Sequence, residues 1–572
     1  MTDQATDGRT TVGGLARTRG PALTAALLSV PVVFLGLFFV LPVATIVLTG
    51  LRPEGVVDLT AVWAVLRDPV VGRVAWFTVW QATVSTLLTL ALGLPGAYVL
   101  TRLEFRGRDA IRAAVTVPFV LPTVVVASAF LALLGPQSPI NGLLEWVFGP
   151  AAPSVDLRRT VTAILIAHAF FNYAVVVRTV GGLWALLDPR LEDAARTLGA
   201  SRWRAFREVS LPLLRPAIAS AASIVFLFTF TSFGVVLILG GPTRATIEVE
   251  IHRATTQLLD LPLASVLALL QLVAVVSALF VYGRLQRRAT AQPLVPAERA
   301  ARRPRTRGER TFLGGNLVVM AVLLAAPLLV LVERSLDTGD GYGLAHYRRL
   351  FSTTTAETIL AVPPWLAIRN SVGFAVAAAV IALLVGGLAA TAAVTGRGPV
   401  ARVVDGALMV PLGTSAVTIG FGFLIALNRP PVDLRGSPLL IPLAQALIAT
   451  PFVVRTLLPV LRSIDHRLRE AAATLGATPR RIWQEVDLPI VGRALLVAAG
   501  FSFAIAVGEF GATVFVARAH FPTMPVAIFR LLGRPGVANF GQAMAMSTIL
   551  MVVTASALLL IDRLRVGQVG RF

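Results

Sequence analysis

About a dozen apolar blocks run along this chain, each long enough for the roughly 20 residues that carry a helix across a bilayer. A backbone inside lipid has no water to bond, so each block must close its own hydrogen bonds as a helix. The pattern predicts an all-α polytopic membrane protein. Breaks rich in arginine, proline and glycine delimit twelve spans, near 22–49, 74–101, 113–135, 160–182, 214–240, 262–283, 312–333, 370–395, 403–427, 438–461, 492–517 and 542–561. Composition agrees, with 56% hydrophobic and 14% charged residues and a mean hydropathy of +0.78. The first block is too long for a signal-peptide core and reads as a span.

The charged residues exclude several chemistries. All 51 basic residues are arginine, so a Walker, Schiff-base or kinase lysine is ruled out. Cysteine is absent and the five histidines are scattered singly, which leaves no pattern for a disulfide, a thiolate or a metal site. A net charge of +21 in so apolar a chain reads as arginines flanking spans rather than as a nucleic-acid surface. If both termini are cytoplasmic, the tails and cytoplasmic connections hold about twice the arginines of the outer ones, which is the positive-inside bias.

The halves of the chain resemble each other. Glu192 to Leu214 reads EDAARTLGASRWRAFREVSLPLL, and Arg469 to Val491 reads REAAATLGATPRRIWQEVDLPIV, at a constant offset of 277 residues. The same offset pairs Arg178 with Arg455, Asp188 with Asp465, and Phe233-Gly234 with Phe510-Gly511. Earlier elements echo more loosely, VPFVLPT after Thr116 with VPLGTSA after Met409, at an offset of 293. Six spans is an even number, so both halves enter the membrane in the same sense, as a parallel repeat with a pathway between them. The expected organisation is a cytoplasmic tail (1–21), a first half (22–283), an arginine-rich cytoplasmic linker (284–311), a second half (312–563) and a cytoplasmic tail (564–572).

Between the fourth and fifth spans of each half, at about 188–213 and 465–490, lies the repeated loop. Asp188-Pro189 supplies an N-cap and a first-turn proline, Gly199 suits a left-handed helix end, and Ser201 or Thr478 caps a second short helix that Leu-Pro ends. Ala194 and Ala195, with Gly199 about a turn on, leave little side-chain bulk, so another protein surface could approach the backbone closely. The plainer alternative is an amphipathic hairpin packed on its own bundle; recurrence at one topological position in both halves favours docking.

The spacing E-A-A, three residues, Gly, nine residues, then aliphatic-x-Leu-Pro resembles the signature of permeases in ABC importers. It occurs here as Asp193-Ala194-Ala195, Gly199, Val209 and Leu211-Pro212, and again as Glu470-Ala471-Ala472, Gly476, Val486 and Leu488-Pro489, with Asp193 a departure from glutamate. The resemblance implies the type I permease fold, with each loop a coupling helix seated on a separate ATPase subunit. It also implies two ATPase copies, an extracytoplasmic solute-binding protein, and placement in the inner or plasma membrane of a prokaryote. ATP and Mg would belong to the partner, since this chain has no phosphate-cradling loop with lysine and is expected to bind no cofactor of its own.

Twelve spans with two such motifs in one chain resemble the thiamine and ferric iron importers, and 167–178, 232–254 and 508–533 look more like the thiamine group. A charge within a span is costly, which makes Glu509 and its repeat partner Ser232 the candidate pathway residues; pairing of Glu509 to an arginine or buried amide is the structural alternative. His168 reads as a helix-packing histidine, and Arg178 and Arg455 as snorkelling residues. The rival class is an ion-coupled secondary transporter of twelve spans, which would be expected to show repeated embedded acids.

Overall fold

The computed structural model describes residues 25–52, 57–289, 301–352, 360–395, 413–429, 432–434 and 436–565. Among the described residues, ten helices are long and apolar enough to cross a membrane: Ala25–Leu51, Pro69–Arg102, Val161–Leu186, Arg202–Phe230, Leu261–Arg284, Arg307–Leu336, Pro364–Val394, Leu440–Ser463, Arg480–Gly508 and Val537–Ile561. The helices Arg108–Val120 and Thr123–Leu133 meet at 105° and are together apolar enough for an eleventh, broken span or a re-entrant loop. The expected span at 403–427 is represented by the short helix Ala416–Ala426, because 401–412 lie outside the described residues.

Local chemistry sets these helices. Asp68 accepts the Val70 amide at 2.7 Å ahead of Pro69, Thr160 caps Val161–Leu186, and Thr306 with Glu309 forms a capping box at the start of the seventh span. Within Pro69–Arg102, the hydroxyls of Thr78, Thr86, Thr89 and Thr101 donate to carbonyls one turn back, so no buried hydroxyl in this helix needs water.

Small residues then let helices close. A β-carbon on Gly93 would lie 2.8 Å from the Val176 side chain, and one on Gly386 would lie 2.9 Å from Val453. Gly386 follows Gly93 by the offset of 293 and Val453 follows Val176 by 277, so one close crossing of the second span on the fourth is built twice. The halves also interlock. Leu41–Leu51 packs on Ala416–Ala426 of the other half, and Ala326–Leu336 packs on Thr123–Leu133.

The linker is not a free tether throughout. Helical structure runs through Ala289 and resumes at Arg307, and 290–300 lie outside the described residues. Arg302 pairs with the end of the second span, its amide donating to the Arg102 carbonyl at 3.0 Å and its carbonyl accepting from Glu104 at 2.9 Å.

Candidate functional site

The repeated loops fold alike. Asp188 accepts the Arg190 amide at 2.9 Å ahead of helix Arg190–Thr197, and Asp465 accepts the Arg467 amide at 3.0 Å ahead of His466–Thr474. Gly199 and Gly476 close these helices at φ of +89° and +81°. The Ala200 amide bonds back to Ala195 at 3.1 Å and the Ala477 amide to Ala472 at 3.0 Å, the six-to-one bond of a Schellman turn. No atom lies within 4 Å of a β-carbon built on either glycine, so the backbone angle, not crowding, demands glycine there.

Leu-Pro does not end the second helix as the sequence reading expected. The chain runs from Arg202 to Phe230, and from Arg480 to Gly508, as one helical element through π-turns at Phe206–Ser210 and Trp483–Asp487. The Leu211 amide bonds the Phe206 carbonyl, and the Leu488 amide that of Trp483, so the widened turn absorbs the missing amide of Pro212 or Pro489 and the helix continues. Each repeated loop is therefore one short helix turned back onto the foot of the fifth span of its half.

The first helix of each loop does not bury an apolar face against its own bundle. Leu198 and Leu475, repeat partners, are 90% and 88% exposed, and Leu191 and Leu468 are half exposed one helical repeat earlier. Asp193, Ala194 and Gly199 are exposed like their counterparts Glu470, Ala471 and Gly476, with Ala195 and Ala472 half-buried. Leucines seven residues apart lie on one side of a helix, so each loop offers an apolar stripe beside small residues.

The closures of the two loops differ. At matching positions the first is latched by a hydrogen bond from the Ser210 hydroxyl to Glu192, and the second by an ion pair, Arg469 Nε to Asp487 Oδ1 at 2.8 Å. Both carry an exposed i,i+4 pair, Arg204–Glu208 at 3.1 Å and Arg481–Glu485 at 2.9 Å. The first loop is also tied to the linker, since Glu309 binds Arg202 at 2.8 Å and Arg302 at 2.7 Å.

Above the loops, the fifth and eleventh spans stop at matching places. Arg202–Phe230 gives way to Thr231–Phe233 before helix Gly234–Leu239, and Arg480–Gly508 gives way to Glu509–Ala512 before helix Thr513–Val516. Glu509 is thus not inside a span, as expected from the continuous apolar run, but the first residue past its end, with extended backbone. Glu509 is 8% exposed, and its carboxylate accepts the amides of Ala512 at 2.7 Å and Thr513 at 2.9 Å and the Thr513 hydroxyl. Amides of its own loop, not an arginine, hold it.

Ser232 sits at the matching break. Its hydroxyl lies 2.8 Å from His168 Nε2, and the other ring nitrogen lies 3.0 Å from the Ser85 hydroxyl, so His168 ties its own helix to Pro69–Arg102 and to the break at Ser232, as a packing histidine does. Ser232, His168 and Glu509 line one cavity of about 360 Å³ between the halves. At its edge the rings of Phe233 and Phe510, repeat partners, stack at 5.5 Å and 24°. His252 and Phe529 share the offset of 277 and join them, with Phe529 5.5 Å from Phe510 and His252 5.5 Å from Phe233.

Sequence reasoning paired Phe233 with Phe510 without a role and missed His252 with Phe529, although extending the same offset finds them. It also missed Glu248, fully buried, which accepts from Gln271 at 2.9 Å and from Ser415 of the other half at 2.8 Å. No acid repeats Glu248 or Glu509, since their offset positions are Pro525 and Ser232. The described residues contain no group of three or more histidines and acids able to hold a metal ion.

Residues 89–291 match the family described as "Binding-protein-dependent transport system inner membrane component". The thiamine transport system permease protein ThiP of Escherichia coli (strain K12) is 27% identical over 482 residues, 83% of this chain and 86% of that protein. The sulfate transport system permease protein CysT of the same organism is 34% identical over 229 residues, 40% of this chain and 80% of that protein. A solved bacterial ABC transporter, described as importing the acidic polysaccharide alginate, aligns with 48% of this chain and 99% of its own at 19% identity and a TM-score of 0.42.

Proposed function

The chain belongs to the binding-protein-dependent inner membrane transport components and is the permease subunit of an ABC importer, and on that premise we propose that it imports thiamine. Similarity to thiamine permeases over 83% of the chain carries this reading. Ferric iron, the other solute suggested by the two-motif architecture, is the competing outcome.

Two copies of a separate ATPase subunit take the loops at 188–213 and 465–490, with the stripes of Leu191 with Leu198 and of Leu468 with Leu475 as docking faces. Asp193, Ala194, Ala195, Gly199, Leu211 and Pro212, and Glu470, Ala471, Ala472, Gly476, Leu488 and Pro489, shape those faces. Exposure of Leu198 and Leu475 supports this, because an apolar side chain 90% or 88% bare beside a tight turn fits a partner's groove. ATP and Mg are bound by that partner, and an extracytoplasmic binding protein delivers the solute. Both termini are cytoplasmic, which the arginine distribution supports.

In that orientation the ring cluster of Phe233, His252, Phe510 and Phe529 closes the outer end of the pathway. Phe119 and Phe228, which precede the breaks in spans rising from the cytoplasm, form the inner rim of the cavity. Uptake of labelled thiamine and labelled ferric iron, compared in the native host with and without this chain, tests the reading. Loss of thiamine uptake alone is expected, and loss of iron uptake alone would overturn the solute assignment.

A further inference from the structure

We infer that Glu309 is a positioning residue for coupling, which holds the first loop to the linker and to the foot of the seventh span, so that a movement imposed on that loop reaches both halves of the chain. The inference rests on the reading of the loop as an ATPase-docking element. Two routes join the foot of the fifth span, at Arg202 and Phe206, to the start of the seventh, at Glu309 and Phe312.

The first route is ionic. The Glu309 side chain, 10% exposed, takes both ends of the Arg302 fork at 2.7 Å and 3.1 Å and accepts from Arg202 of the loop at 2.8 Å. Arg302 is itself fixed, because its backbone pairs beside Leu103 at the end of the second span. The same carboxylate closes the capping box with Thr306 and accepts the Arg305 amide at 2.8 Å. One side chain therefore joins the loop, the linker and the first turn of the seventh span.

The second route is a run of rings. Phe312, three residues after Glu309 and on the same side of its helix, meets Tyr98 of the second span edge-on at 6.0 Å. Tyr98 meets Trp184 of the fourth span at 5.4 Å, and Trp184 stacks on Phe206, the first residue of the loop's π-turn, at 6.0 Å and 23°. Trp184 is 2% exposed, so the run passes through packed interior, which is hard to compress and passes displacement on.

The repeat supplies these residues once. By the offsets of 277 and 293, Arg202, Trp184 and Tyr98 correspond to Pro479, Leu461 and Thr391, which offer neither a guanidinium nor a ring. Those positions carry the strap in the first half and cannot carry it in the second.

Glu309→Gln separates the roles of the side chain, since glutamine also serves in a capping box but brings no charge to Arg202 and Arg302. In the purified full-length chain in nanodiscs, this variant is expected to speed amide hydrogen exchange about three-fold over 188–206 and to leave 465–483 unchanged. In proteoliposomes that also hold the ATPase and the binding protein, it is expected to take up about three-fold less labelled thiamine per ATP hydrolysed. Arg202→Gln should reproduce both effects, whereas Arg202→Lys, which keeps the charge, should behave as the wild type. Arg310→Gln, at an exposed neighbouring position, should change neither.

Unchanged exchange over 188–206 in Glu309→Gln, or an equal rise over both loops, would overturn the strap. Faster exchange with an unchanged ratio of uptake to hydrolysis would overturn its part in coupling. A wild-type chain that takes up no thiamine with its ATPase instead overturns the importer reading or its solute, and the exchange measurement, which needs neither partner nor solute, still decides the strap.

Discussion

The two loops on the cytoplasmic side are the same shape closed by different chemistry. Both turn on a glycine with positive φ, both leave a leucine about nine-tenths exposed, and both feed a π-turn that lets a proline stand within a continuing helix. Their latches share position but not chemistry, a hydroxyl on a carboxylate in the first and a guanidinium on a carboxylate in the second. The first is also tied to the linker, through Glu309. The glycine turn and the bare leucines recur in both copies, whereas the bond that closes the loop differs.

That contrast orders the expected effects. Valine at Gly199 or Gly476 places a β-branched residue at φ near +85°, at a cost of about 1–3 kcal/mol concentrated in the turn. Each change is expected to cut uptake at least ten-fold with membrane content unchanged, read by transport against immunoblot; an effect at one loop alone would show that the copies are not equivalent. Next in size, Leu198→Asp and Leu475→Asp put a charge on the docking stripe without altering the turn, and are expected to lower ATPase stimulation several-fold. Normal stimulation in both would return these leucines to ordinary surface.

The latches should matter less. Arg469→Ala leaves Asp487 largely shielded without its partner and is expected to cost about 1 kcal/mol, seen as a lower melting temperature of the purified chain. The double change Arg469→Glu with Asp487→Ser installs the first loop's latch in the second, and should restore both melting and transport. Smallest of all, Arg204→Ala and Arg481→Ala remove exposed i,i+4 pairs worth about 0.3–0.5 kcal/mol, and uptake should stay within experimental error.

Much of this was legible in the sequence, for identifiable reasons. Spans follow from apolar length, and the loops follow from an exact offset together with cap and turn residues whose chemistry is local, such as Asp188, Gly199 and Thr478. The break at Glu509 was not legible, because Phe510 to Val516 continue the apolar run and hydropathy does not distinguish a helix from an unwound segment buried in protein. The same blindness let Leu-Pro pass for a helix end, since the π-turn that accommodates it has no residue signature. Glu248 was overlooked because it falls between apolar blocks and has no repeat partner, and its burial depends on Ser415, 167 residues away.

The absence of cysteine makes the central claim, that both loops dock an ATPase, directly testable. A single cysteine at position 198 or 475, carrying a photoreactive maleimide, would be irradiated in membranes that also contain the ATPase subunit. The account predicts that the ATPase is captured from each position and not from a cysteine at exposed Leu143. Capture from neither loop, or from one alone, would contradict it.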